Sequence, residues 1–325
     1  MIMLYNDLKD GIYILHENEE WLPPFREAFA RAGVVFGEID LNKGSINLDK
    51  APPKGVFWSR MSASSHTRGH SFAKDYARAL FAWLERFNRR IINPLSVLEL
   101  EVSKVAQYLA LNQAGFLTPK TLVAFGKDEL LSLAKTLPTP FIIKHNQGGK
   151  GLGVKLYESL KQLQDELDEF ELSVDGIYLA QEYIKSKEPF ITRLEFIGGK
   201  FHYAVRVDTS DGAFELCPAQ ACELERKSKL ASAACDINAK FTLREDIGVD
   251  FALVKKLEEF LQSKKIEIAG VEFIQNTQND FVVYDINTNT NYNKALEDSL
   301  RAKGLKAAAD RVVEFLITEF EKEKR

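Results

Sequence analysis

Apolar and polar positions along the chain alternate between strand-like runs and helix-like spacing. Ile12-Tyr-Ile-Leu15 is a continuous apolar run of strand length, and residues 21–32 follow with helical periodicity behind Asn18-Glu-Glu and Pro23-Pro24. Val34-Val-Phe36, Gly55-Val-Phe-Trp58 and Ile91-Ile92 read as further strands, with a helix over 75–89 before the last. This βαβ rhythm predicts a small sheet with helices on its faces. A helix over 96–114 comes next as a boundary element, closed by Gly115 and then Pro119. Residues 121–184 then run strand, helix (127–136), strand (141–145), glycine-rich loop, strand (154–157), helix (160–170) and strand (178–184), a compact α+β unit of the size of a lid. Residues 192–206 form a hairpin turning on Gly198-Gly199. A helix over 250–264 leads into a second hairpin at 270–293, and helices after Lys294 close the chain. Residues 218–248, rich in Ala, Ser, Glu and Lys, read as a loop-and-helix segment.

The stretch 270–293 stands apart because acids sit among its core residues. Val271, Phe273, Phe281, Val283 and Tyr284 have strand character, and residues 276–280 supply the turn. Strand side chains alternate faces, so Asp285 and Asn287 project to one side, and pairing of the two strands could bring Glu272 alongside them. Three converging oxygen ligands suit magnesium, which favours octahedral oxygen coordination shared between carboxylates and substrate phosphates. A hairpin whose polar residues simply face water fits the same pattern, and this stretch alone leaves both readings open.

Composition narrows the classes. With 325 residues the chain holds two or three packed units. A net charge of −4 carries no basic footprint for nucleic acid, and no apolar run approaches membrane-spanning length, so a cytoplasmic location is expected without nucleic-acid or membrane partners. Cys217, Cys222 and Cys235 lack Cys-x-x-Cys spacing, which fits reduced thiols better than a disulfide framework or a zinc site.

Gly148, Gly149, Gly151 and Gly153 lie between two strands, where glycines let backbone N–H groups approach phosphate oxygens. No Gly-Lys-Ser/Thr follows and no helix opens there, so P-loop and Rossmann contexts fail, and a plain turn is the alternative. Lys144 ends an apolar strand just before this loop and could reach a phosphate as a point charge or snorkel to solvent.

Taken in order, these residues resemble the ATP-grasp enzymes, and among them the RimK-like glutamate-ligase branch, over about residues 91–293. The resemblance implies nucleotide contacts at Lys104 in Glu101-Val-Ser-Lys-Val-Ala-Gln-Tyr-Leu, at Lys144 and at the glycine loop. It implies an adenine hinge at Gln181, Glu182, Tyr183 and Ile184, a ribose contact at Glu188, and metal ligands at Glu272, Asp285 and Asn287. Asp285 stands where the family usually has Glu; a side chain one methylene shorter makes one metal ion a firmer expectation than two. Arg193 and Arg206, on the two strands of the 192–206 hairpin, are expected to converge on one face towards the phosphates and the acyl phosphate, where the planar guanidinium binds oxygens bidentately. Arg60, His66, Arg68 and His70 form a polar, cationic loop that could hold an anionic substrate, with a solvated surface loop as the alternative. His145 and His202 read as structural or rim residues.

The resemblance implies an α/β chain with an α+β lid: an N-terminal pre-grasp domain (1–95), a central lid (96–184) and a C-terminal metal-binding domain (185–325). It further implies ATP with one or two Mg2+ ions, Mn2+ being an alternative. The implied reaction joins a carboxylate to an amine through an acyl phosphate, on an amino acid or peptide that is anionic, and the family leans towards homodimers. The same fold serves ligases that modify peptide tails or precursor peptides, kinases, and nucleotide-binding regulators without turnover.

Overall fold

The computed structural model describes residues 4–149, 153–210 and 240–325, so Gly151, the cysteines and most of the 218–248 segment lie outside the described residues. The first layer runs β1 (Gly11–His16), α1 (Pro23–Ala32), β2 (Gly37–Asp40), β3 (Gly55–Arg60), α2 (Ala73–Arg86) and β4 (Arg90–Ile92). Its strands are all parallel, in the order β2-β1-β3-β4. The strand expected at Val34–Phe36 begins instead at Gly37. Gly33, at φ 66°, ends α1, the Val34 N–H closes back onto the Phe29 carbonyl, and Phe36 stacks on Phe29 at 4.2 Å. Residues 34–36 thus serve the helix C-cap rather than the sheet.

The helix expected over 96–114 is broken in two, α3 (Leu95–Glu101) and α4 (Lys104–Gln113). Ser103 adopts extended backbone, φ −145° and ψ 108°, and its hydroxyl accepts the Ala106 N–H, which makes it a fresh N-cap. The break places Lys104 on the first turn of a helix. Val97, Ala110 and Leu111 of these helices pack with Leu194, Phe196, Val271 and Phe273 of the last sheet, not with the lid.

The lid comprises β5 (Thr121–Phe125), α5 (Lys127–Ala134), β6 (Phe141–His145), β7 (Lys155–Tyr157), α6 (Leu160–Glu166) and β8 (Ile177–Glu182). Its strands are antiparallel in the order β5-β8-β6-β7. Phe141, Ile143, Tyr178 and Ala180 form one core with Leu130 and Leu163 of the helices. Strand alternation turns Ile142, Lys144, Leu179 and Gln181 to the other face.

The last sheet contains β9 (Phe190–Ile197), β10 (Lys200–Asp208), β11 (Phe241–Leu243), β12 (Ile268–Gln275) and β13 (Phe281–Asn287), in the order β11-β10-β9-β12-β13, with α7 (Ala252–Ser263) preceding β12. Gly198 and Gly199, at φ 63° and 70°, make the two-residue hairpin turn expected between β9 and β10. After α8 (Lys294–Ala302), α9 (Ala308–Glu323) inserts Ala308, Val312 and Leu316 between the two large sheets, against Ile14 and Val56 on one side and Val205 and Ile268 on the other. Arg90 adds ion pairs to Glu267 and Glu319 across this seam. Arg60, the last residue of β3, reaches the loop after β13 by donating to the Thr290 carbonyl and to Asn291. Among the described residues no helix is long and apolar enough to cross a membrane.

Candidate functional site

Strand pairing sets Glu272 directly opposite Asp285 on one side and Arg193 on the other, and sets Gly270 opposite Asn287. Residues opposite each other across a ladder share a face, so the acids, Asn287 and Arg193 converge. Gly270 is small because the Arg193 guanidinium lies over it; a Cβ there would stand 2.5 Å from Nη2. A bulge makes Tyr284 the extra residue of β13, and its hydroxyl donates to Glu272 at 2.8 Å.

Each acid of this cluster meets a cation. Arg193 is buried and donates to Glu195 at 2.6 Å, Glu272 at 3.0 Å and Thr290 at 2.5 Å, and Thr290 donates onward to Glu195 at 2.9 Å. Burial pushes the Glu272 carboxyl above its ordinary pKa despite Arg193 beside it. Lys104 reaches across from α4 to ion-pair with Asp285. Burial opposes the Asp285 charge, but Lys104 outweighs it and holds the carboxyl below its usual pKa; the same pairing overcomes burial and raises Lys104.

Among the described residues no carboxylate lies within ion-pair distance of Lys144. It donates to the Tyr108 hydroxyl at 2.6 Å and lies 4.9 Å from the centre of that ring, while Tyr108 donates to the Tyr284 carbonyl at 2.8 Å. Burial, helped by the nearby charge of Lys104, pushes Lys144 down to about 7. The lid is tied to α4 beneath it. The Asn146 Oδ1 accepts from the Ser103 hydroxyl and the Val105 N–H, and its carbonyl accepts the Lys104 N–H.

The remaining expected residues scatter. Gln181 is buried beside Tyr108 and donates to Thr121 at 2.7 Å. Glu182 accepts the Lys120 N–H, and β8 ends there, two residues short of the strand expected to reach 184, leaving Tyr183 and Ile184 in irregular backbone. Glu188 is exposed. Gly148 and Gly149 lead the glycine loop towards Ser64 of the first layer, where a Cβ on Gly149 would sit 3.4 Å from Ser64 Cβ, and Gly153 covers the His145 ring. His145 packs edge-on against Phe170 and Tyr178, the structural place expected for it.

Two expectations are corrected. Arg206 pairs with Thr192, the neighbour of Arg193, so the two arginines point to opposite faces of the sheet; Arg206 lies 4.3 Å over the Phe190 ring instead. The cationic loop is not a free anion site. Arg60 is 1% exposed, stacked between Phe25 and Trp58, and donates to the Thr290 carbonyl and to Asn291; burial pushes it down to about 10. Arg68 and His70 both turn to the buried Glu17 carboxylate, at 2.5 Å and 3.0 Å, and Arg68 also stacks on Trp21. His66 is half-buried near Lys74 and Arg68.

Sequence reasoning missed Tyr108, which lies one helical turn after Lys104, a spacing that was available to find it. It also missed Glu101, whose carboxylate accepts the Thr288 N–H and hydroxyl at 2.8 Å each, and Glu17, for which nothing local gave a signal.

The donor set fits a hard divalent cation: two carboxylates and an amide, with the buried Asn287 Oδ1 lacking any partner.

A sheet carrying this cluster, with two lysines facing it and an antiparallel lid hooked above, is the ATP-grasp fold. The chain superposes on the ATP-grasp ligase PsnB complexed with minimal precursor with a TM-score of 0.64 at 11% identity, over 95% of this chain and 99% of that one. It superposes on a RimK domain ATP-grasp protein from Sphaerobacter thermophilus with a TM-score of 0.61 at 16% identity, over 94% and 99%. Within that fold, residues 102–230 match the model of the RimK-like ATP-grasp domain. By sequence it is 28% identical over 140 residues to a probable alpha-L-glutamate ligase of Marinomonas sp., covering 43% of this chain and 46% of that protein. It is 31% identical over 119 residues to the alpha-aminoadipate–LysW ligase LysX of Sulfurisphaera tokodaii, covering 35% and 42%. The match thus spans less than half the length of each of these two curated relatives.

Proposed function

We propose that the protein is an ATP-dependent carboxylate–amine ligase acting on an amino acid or peptide, releasing ADP and phosphate. The observation that carries this reading is the convergence of Glu272, Asp285 and Asn287 with Lys104 and Lys144 at the join between lid and sheet. The relatives' names, ligases for glutamate and for aminoadipate on LysW, support the same class.

Glu272, Asp285 and Asn287 would hold Mg2+, which neutralises phosphate charge and orients the γ-phosphoryl group when bound. Lys104 would leave its ion pair and turn to the nucleotide once Asp285 served as a cation ligand. Lys144, on the inner face of the lid, would meet the same phosphates from above. Such chemistry asks the protein for positioning and charge rather than a covalent nucleophile. Gln181 and the chain leaving β8 would border the base. The lid's ties from Asn146 to α4 would keep water from the acyl phosphate. An anionic group on the substrate would compete with Glu17 for Arg68 and His70. A homodimer and a cytoplasmic location belong to the same proposal.

The test is ADP and phosphate release from MgATP, with and without pooled amino acids and short acidic peptides, followed by mass spectrometry of the product. A condensed product without a phosphoryl group supports the ligase. ADP release without free phosphate, together with a phosphorylated product, would replace this reading with a kinase.

A further inference from the structure

The loop after β13 is clamped at nearly every position but one. Thr288 is held by Glu101, Thr290 by Arg193, Glu195 and Arg60, and Asn291 by Arg60. Asn289, between them, is 3% exposed, and neither its Oδ1 nor its Nδ2 has a partner among the described residues. A primary amide offers two donors and two acceptor sites, and burying all of them unmet is unfavourable. The side chains of Thr288, Thr290 and Asn291 on either side all have partners, so loose packing of the loop is a poor explanation.

Other unmet groups border the same junction. Asn287 Oδ1 is buried and unpartnered two residues earlier, and Asn18 Nδ2, Ser65 Oγ and His66 Nδ1 are likewise unpartnered in the loops of the first layer. Those loops follow β1 and β3. The strand order β2-β1-β3-β4 reverses between these two strands, and the crevice at such a reversal is where open parallel sheets bind ligands. Arg60 and Glu101 tie this crevice to residues 288–291, since Glu101 also accepts the Ala63 N–H.

We infer that Asn289 is a specificity-determining contact for the substrate held beside the candidate metal ligands, and that it reads a group able to donate and accept on neighbouring atoms. A lone carboxylate only accepts and a lone ammonium only donates, and each leaves half of the amide unmet. A peptide amide, or the paired ammonium and carboxylate of one α-amino acid, satisfies both. This inference rests on the ligase reading and deepens it.

The test compares wild type with Asn289→Ala and the isosteric Asn289→Asp in the full chain. Probes are an equimolar pool of proteinogenic L-amino acids and, separately, a pool of N-acetylated tripeptides. The inference expects a free-enzyme Tm for Asn289→Ala equal to or above wild type, because no hydrogen bond is lost. It expects affinity for the non-hydrolysable analogue AMPPNP within about threefold, and a half-saturating concentration of the stimulating pool raised about 10-fold or more in both variants. Which pool stimulates decides between the amino acid and the peptide amide. A Tm lowered by several degrees in Asn289→Ala, or unchanged half-saturation, overturns the inference. If wild type binds AMPPNP but neither pool stimulates ADP release, it is the ligase reading that fails on these substrates. The Tm then judges Asn289 alone, a fall overturning its unpartnered role and an equal or higher value upholding it.

Discussion

Nucleotide affinity should fall steeply with pH because of Lys144. In the free protein this ammonium is buried against Tyr108, with Lys104 nearby, and its pKa is pushed down to about 7. Phosphate oxygens arriving at Lys144 favour the charged form, so binding is accompanied by proton uptake wherever the free lysine is neutral. With a free pKa of about 7 and a bound value near the ordinary 10.4, the charged fraction before binding falls from about one half at pH 7 to about one hundredth at pH 9. Affinity then drops about 50-fold across those two units, or roughly 2.3 kcal/mol. Isothermal titration of AMPPNP at pH 8, in two buffers of different ionisation enthalpy, should show uptake of about 0.9 proton. Lys144→Arg, charged at every pH used, should bind with a flat profile over the same range. A wild-type affinity changing less than threefold between pH 7 and 9, with no proton uptake at pH 8, would refute the reasoning.

The same lysine should cost stability. Its folded pKa lies below the unfolded value, so the unfolded chain binds more protons between about pH 7 and 10.4 and wild-type stability rises with pH through that window. Lys144→Met should therefore be more stable than wild type by on the order of 1–2 kcal/mol at pH 6.5, with the gap closing towards pH 10, as read from urea melts at each pH. Asp285→Asn should lower ADP release about 100-fold or more and cost roughly 3 kcal/mol by leaving Lys104 buried without its carboxylate; normal turnover would remove Asp285 from the site. Glu101→Ala should cost about 1–3 kcal/mol by stranding the Thr288 N–H and hydroxyl, whereas Glu101→Gln, which keeps an acceptor, should cost less; equal melts for the two would contradict this.

Much of the fold was legible because its strands are apolar runs punctuated by glycine and proline. The two strands of the acid-bearing hairpin were legible from their apolar residues, but its register was not: carried unbroken from Gln275 opposite Phe281 it would set Glu272 opposite Tyr284, and the extra residue Tyr284 shifts it by one to bring Glu272 opposite Asp285. The errors arose where one residue decides. Carried unbroken from Lys200 opposite Ile197, the register of the β9–β10 hairpin would set Arg193 opposite Ala204 and put Arg206 on the same face; the irregularity between Phe201 and Tyr203 shifts it by one and turns Arg206 away. Ser103 breaks a helix whose apolar spacing continues across it, so only its capping hydrogen bond exposes the break. The positive charge of residues 60–70 was visible, but Glu17 was not, because it reaches Arg68 only through the pairing of β1 with β3.

The two acids of the candidate site are paired to cations that differ in freedom, and the difference bears on which acid can change partner. Arg193 is fixed by Glu195 and Thr290 as well as Glu272, and Gly270 leaves room for its guanidinium. Lys104 is held to Asp285 at the end of a long side chain, on the first turn of a helix that the lid itself caps through Asn146. Buried ion pairs contribute little net stability compared with apolar packing, so their presence here calls for another reason. A pair in which one cation is fixed and the other is singly tethered supplies one: under the proposed function Asp285 would exchange Lys104 for a divalent cation, while Arg193 would stay held by Glu195 and Thr290 as Glu272 turned to the ion. The same exchange would free Lys104 next to Lys144, and under this proposal cation arrival and the assembly of positive charge for a polyphosphate would be one event.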